Sequence, residues 1–177
     1  MPLPGLRGLE HLSFTVPDLD QAVRFFTEVL GCEYFYPIGP FRDPEGTWFA
    51  DNLDLDPRTE IPNACLLRCG HGSNFELFEY VAPDQRREWP KMSDWGGAHL
   101  AFYVDDIEAA AAYLESEGVH LLGGVKDGIG VEGGEGSAFV HFLSPWGMLL
   151  ELVSFPNGKE YMDGRERLLW NPVDPAA

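Results

Sequence analysis

Positive charge is scarce in this chain: 12 Lys and Arg stand against 29 Asp and Glu, for a formal net charge of −17. Such a surface repels phosphate backbones, which argues against nucleic acid as a partner. It also disfavours polyanionic substrates unless a local basic patch offsets the field. Cysteine is scarce too. The three present, Cys32, Cys65 and Cys69, are odd in number and lack framework spacing, so reduced thiols and a cytoplasmic setting are expected. Cys65 and Cys69 have strand-like neighbours and no second cysteine pair, and are read as core-strand residues rather than zinc ligands. No apolar run reaches the length of a membrane span, so no membrane partner is expected. The first residues show no signal-peptide core.

What is present is a globular composition, 45% hydrophobic and 13% aromatic, in 177 residues, enough for one well-buried domain. The most informative feature is a phrase written twice. Residues 10–16 read E-H-L-S-F-T-V and run into Asp18, Leu19, Asp20 and a helical stretch; residues 98–104 read A-H-L-A-F-Y-V and run into Asp106, Ile107, Glu108 and a second one. The repeat sets His11 and His99 in equivalent places of two halves, and a metal ion is the usual reason for two such histidines to converge.

Each half reads β-α-β-β-β. In the first, a strand over 9–16 precedes a helix from about Leu19 to Leu30, capped by Asp18 or Asp20 and stopped at Gly31. Strands follow at Cys32–Tyr36, Ala64–Arg68 and Asn74–Tyr80. Pro37–Pro62 reads as loop, with a short strand near Thr47–Ala50, and as a lid or rim. In the second half, a strand over 98–104 leads to a helix from Asp106 to Glu117, stopped at Gly118. A short strand at His120–Leu122, a glycine-rich loop from Gly123 to Gly136, and a hairpin of Ser137–Leu143 with Met148–Ser154 complete it. The expected organisation is one domain over 1–177: module one at 9–80, module two at 98–154, and a tail at 155–177 with a short helix near Gly164–Trp170. The expected fold class is α+β, with the two paired modules forming a curved mixed sheet around a metal-containing cleft.

Strand alternation assigns the faces. Leu12, Phe14 and Val16, like Leu100, Phe102 and Val104, form the apolar faces that must pack on helices. His11 and His99 therefore face the cleft. In the last strand of each half, Phe75 and Leu77 turn Glu76 towards the cleft, and Leu150 and Leu152 do the same for Glu151. A carboxylate inside an apolar strand is costly unless paired or bound to a cation. His11, Glu76, His99 and Glu151 thus make a candidate two-histidine, two-carboxylate metal site. Such a donor set suits one divalent ion, Zn, Ni, Co, Mn or Fe(II), and leaves two octahedral positions open. Glu79 rivals Glu76, although alternation turns it to the helix side or the strand end. His141 shares a face with Phe139 and Leu143, where it either supports the site or packs structurally. Tyr103 points to the cleft, as a substrate contact or as filling. His71, His120, Arg86 and Arg87 read as solvated, and Gly123–Gly136 lacks the residues of a phosphate loop.

These phrases, together with F-E-L-F-E-Y at 75–80 and S-P-W-G-M-L-L-E-L at 144–152, resemble the vicinal oxygen chelate superfamily over about Leu9 to Ser154. That group includes glyoxalase I, methylmalonyl-CoA epimerase, extradiol dioxygenases, fosfomycin-resistance and bleomycin-binding proteins. The ligand pattern is most similar to glyoxalase I and methylmalonyl-CoA epimerase. Ser144 stands where the family's turn usually has Asp. The resemblance implies the same four metal positions. It also implies that a Lewis-acidic ion chelates vicinal oxygens of a small substrate while Glu76 or Glu151 moves a proton beside a carbonyl. Isomerase, epimerase or lyase chemistry is the leading expectation. The alternatives are an Fe(II) ring-cleaving dioxygenase using His11, His99 and Glu151, and a non-catalytic drug- or small-molecule-binding protein. A homodimer is compatible with this reading.

Overall fold

A computed structural model of the protein describes residues 4–173. The chain divides into two units, one running to Arg87 and one starting at Glu88. Each is a four-stranded mixed sheet; the second unit follows the order β-α-β-β-β that the repeat implies, and the first adds a helix between its second and third strands.

In the first unit, β1 (His11–Thr15) leads through Asp18 into α1 (Leu19–Arg24), which continues as one wider π turn, Phe25–Val29. Asp18, not Asp20, is the cap: its carboxylate accepts the Gln21 N–H at 2.8 Å. The helix buries Leu19, Ala22, Phe25 and Phe26 along one face. Strands β2 (Glu33–Ile38), β3 (Glu60–Arg68) and β4 (Asn74–Val81) follow, and the sheet order is β1-β4-β3-β2. Strand β1 runs parallel to β4; the other pairs are antiparallel. Phe26 sits fully buried between Phe14 and Phe75, with ring centroids at 6.0 and 5.1 Å. Leu12 does not join this core. It stays 41% exposed on an outer strand of the sheet. We expect Phe26→Ala to cost about 3–5 kcal/mol, the usual range for emptying a buried aromatic site. A shift of the urea midpoint at unchanged slope measures it.

Three expectations for this unit are corrected. The segment from Pro37 to Pro62 holds a helix, α2 (Trp48–Leu53), and no strand at 47–50. It ends where Asp54 turns left-handed, at φ 55°. Phe49, 1% exposed, packs with Ile61 and Ala64, and Ile38, Leu55, Phe78 and Tyr80 flank the group. The segment is thus anchored in a second small core and is not a free lid. Strand β3 starts at Glu60 rather than Ala64, with a bulge between Glu60 and Asn63. Finally, Cys32 and Cys69 are joined in a disulfide, so two of the three thiols expected to be reduced are not. The cause is register: Glu33 pairs with Arg68, which brings the flanking cysteines to the same end of the β2–β3 ladder. Cys65 is free, and burial pushes its thiol up to about 11.

The second unit repeats the plan with β5 (Leu100–Tyr103), α3 (Ile107–Ser116), β6 (His120–Asp127), β7 (Ala138–Leu143) and β8 (Leu149–Ser154), in the order β5-β8-β7-β6. Strand β5 runs parallel to β8. The carboxylate of Asp106 caps α3 by accepting the Ala109 N–H at 3.0 Å. Ile107, Ala111 and Leu114 face the core, where Val140, Phe142, Leu150 and Leu152 are each at most 3% exposed. Strand β6 is longer than expected and runs into the glycine-rich segment, with an irregularity between Leu122 and Lys126. Between β7 and β8 the Ser144 hydroxyl accepts the Met148 N–H at 3.0 Å, so this serine closes the turn as an acceptor. Gly147 takes the φ of 88° that the turn requires. Among the described residues of the tail, a short 3-10 turn forms at Glu160–Met162, and no helix forms at Gly164–Trp170 where one was expected. No helix among the described residues is long and apolar enough to cross a membrane.

Candidate functional site

The alternation that buries one face of each sheet presents the candidate residues on the other. In the first unit Ser13 pairs with Glu76 across the parallel β1–β4 ladder, and His11 lies two residues earlier on the same face as Ser13. His11 Nε2 stands 3.3 Å from Glu76 Oε2. In the second unit Ala101 pairs with Glu151 across β5–β8, and His99 again lies two residues earlier. His99 Nε2 stands 3.0 Å from Glu151 Oε2. The two halves therefore build the same His–Glu pair in the same register.

The acidic partners are the more enclosed members. The Glu76 and Glu151 side chains are 19% and 15% exposed. Leu77 beside Glu76, and Leu150 and Leu152 beside Glu151, are buried on the opposite face. The Glu10 carboxylate contacts His11 Nδ1 and, with the Glu76 charge acting next, raises the imidazole pKa. The hydrogen bonds from His11 and Asn74 lower that of Glu10. Burial, then the Glu76 charge, raises the phenol of Tyr80. By alternation Tyr80 and Phe78 share the Glu76 face, so the core around α2 covers part of it.

Glu79 is no rival for the site. It faces the helix, where its carboxylate accepts the Leu19 N–H at 3.1 Å and satisfies an orphan donor of α1. His71, His120, Arg86 and Arg87 are exposed, as expected. Tyr103 packs its ring edgewise on Phe155, centroids 4.8 Å apart. His141 belongs to the site more firmly than its sequence context suggested. It pairs directly with Glu151 across β7–β8, its Nε2 lies 3.8 Å from Glu151 Oε1, and its ring lies 5.9 Å from that of His99. One donor atom each from His99, His141 and Glu151 lie within 4.8 Å of one another. The available signal was alternation plus hairpin register, which puts position 141 opposite position 151. The first unit has Leu66 at the corresponding place, opposite Glu76.

These donors fit a divalent ion. Imidazole and carboxylate bond such ions at roughly 2.0–2.2 Å, so two donors at right angles lie about 3 Å apart. The His–Glu separations of 3.3 and 3.0 Å match that spacing. The mixed nitrogen and oxygen set suits Zn, Ni, Co, Mn or Fe(II).

Residues 10–139 match the model of the glyoxalase/bleomycin resistance protein/dioxygenase superfamily, and the chain belongs to that superfamily. It is 46% identical over 174 residues to a 2-epi-5-epi-valiolone epimerase from an Actinomyces species, covering 96% of this chain and 91% of that protein. It is 31% identical over 126 residues to the lactoylglutathione lyase of Schizosaccharomyces pombe, covering 68% of this chain and 40% of the lyase. Among solved structures, a glyoxalase family protein from Bacillus cereus has the same fold, with a TM-score of 0.65 at 21% identity, over 87% of this chain and 97% of that one.

Proposed function

We propose that this protein is a divalent-metal-dependent epimerase of a small ketone, with 2-epi-5-epi-valiolone as its substrate. Residues 1–177 work as one domain, and His11, Glu76, His99 and Glu151 hold one ion between them. The observation that carries this reading is the duplicated His–Glu pair: the same two side chains, in the same strand register, at hydrogen-bonding or near hydrogen-bonding distance in both units. The printed activity of the 46% identical relative supports the choice of epimerisation over other proton transfers.

When bound, a divalent ion supplies Lewis-acid polarisation of the substrate carbonyl. The chain's own residues do the rest. His11, His99 and Glu151 hold and orient. Glu76 takes the proton from the carbon beside the carbonyl, and a proton from solvent returns to the opposite face of that carbon, so that its configuration inverts. Glu76 suits this work because only Ser13 and Leu66 flank it across the sheet, whereas Glu151 has His141 against its second oxygen. The scarcity of Lys and Arg agrees with an unphosphorylated substrate.

A second reading has one specific observation behind it. His99, His141 and Glu151 are a two-histidine, one-carboxylate set within one unit, a donor set that suits Fe(II) oxygen chemistry. The two readings part in one experiment. Metal-reconstituted protein is incubated with 2-epi-5-epi-valiolone in deuterated water and followed by NMR. The epimer should form with deuterium at the inverted carbon. Neither epimer nor exchange, together with oxygen uptake by Fe(II)-loaded protein on a catechol, would replace the first reading with the second.

A further inference from the structure

The repeat is not symmetric around its histidines. Glu10 precedes His11, whereas Ala98 precedes His99. In the structure the Glu10 carboxylate contacts His11 Nδ1 through Oε2. Its other oxygen accepts from Asn74 Nδ2 at 3.1 Å, and the same amide reaches the Glu10 carbonyl at 3.3 Å. Asn74 is itself the residue paired with His11 across β1–β4. The result is a chain, Asn74–Glu10–His11–Glu76, in which each imidazole nitrogen has a separate partner: Nδ1 faces Glu10 and Nε2 faces Glu76 at 3.3 Å.

We propose that Glu10, tethered by Asn74, is a positioning residue that fixes His11 as the Nδ1–H tautomer and presents an unprotonated Nε2 to the metal. The physical reason is general. A neutral imidazole has one donor and one acceptor nitrogen, and the hydrogen bond at one decides which proton the other lacks. A carboxylate on the far nitrogen also raises ligand basicity and fixes the ring, and losing such a partner typically costs 10–100-fold in metal affinity. The second unit reaches a similar end differently. With alanine at 98, no adjacent carboxylate can bond the His99 ring; His141 instead stands beside the Glu151 that His99 contacts. The two half-sites are thus supported by different residues, a carboxylate behind the histidine in one and an imidazole beside the glutamate in the other.

This inference rests on the metal-site reading, and its test separates the two. Histidine-selective 15N-labelled, metal-free full-length protein is examined at a pH where His11 is neutral, by two-bond 1H–15N correlation. The wild type should show His11 protonated at Nδ1. Glu10→Ala should move the proton to Nε2, and Glu10→Gln should restore the Nδ1–H form, because the amide oxygen still accepts. Zn(II) or Co(II) dissociation constants are then measured on the same proteins. Glu10→Ala should weaken binding about 10–100-fold, and Glu10→Gln should weaken it less. If the wild type binds metal and loses it on His11→Ala, yet Glu10→Ala changes neither tautomer nor affinity, the role assigned to Glu10 is wrong. If the tautomer shifts as expected but the wild type binds no divalent ion, the metal-site reading is what fails.

Discussion

Glu151→Ala is expected to strip the protein of the proposed divalent ion, with affinity falling by more than about 100-fold, beyond the usual cost of losing an outer-shell partner. Two imidazoles meet this carboxylate, His99 on Oε2 at 3.0 Å and His141 on Oε1 at 3.8 Å, so its removal disconnects the second unit's donors from their shared acceptor. Folding should survive. Alanine fits a strand flanked by buried Leu150 and Leu152, and the substitution removes a carboxylate held at 15% exposure. Metal content after dialysis, read beside an unchanged far-ultraviolet spectrum and urea midpoint, distinguishes loss of the site from loss of the fold. Retention of a full equivalent of metal would remove Glu151 from the ligand set.

Glu76→Gln is expected to act the other way round: metal stays and turnover goes. The amide oxygen remains a ligand atom, but the group can no longer accept a proton. General acid–base transfer contributes roughly 10²–10⁴-fold, and kcat should fall by that factor. Deuterium entry at the substrate carbon should fall in parallel, because the same proton transfer drives both. Metal loss from Glu76→Gln would make Glu76 chiefly a ligand. Undiminished exchange in the metal-loaded variant would assign the base elsewhere, with Glu151 the next group to test.

The parts of the molecule that are local in sequence were legible there. The phrase repeated at 10–16 and 98–104 gave both modules. One of the two aspartates proposed as cap of the first helix, Asp18, is the cap, because a side-chain cap needs only neighbours three residues on. Alternation in β4 and β8 placed Glu76 and Glu151 on the faces of His11 and His99. It also turned Glu79 to the helix side, where it bonds Leu19. What stayed hidden depends on register between strands far apart in sequence. The Cys32–Cys69 bond spans 37 residues and follows from how β2 meets β3. His141 joins Glu151 through the register of the β7–β8 hairpin, although its face was readable. Helix α2 is six residues long, too short for a helical period to stand out in a segment rich in Pro, Asp and Gly, and its core contacts come from β2, β3 and β4 and from Leu55.

In the proposed site the two His–Glu pairs share one ion. Metal stoichiometry tests it most directly: apoprotein equilibrated with Zn(II) or Co(II), dialysed and assayed for metal per chain. One equivalent is expected in the wild type, lost to a similar extent in His11→Ala and in His99→Ala, since each variant breaks the same site. Two equivalents per chain, or a full equivalent undisturbed in either variant, would contradict it.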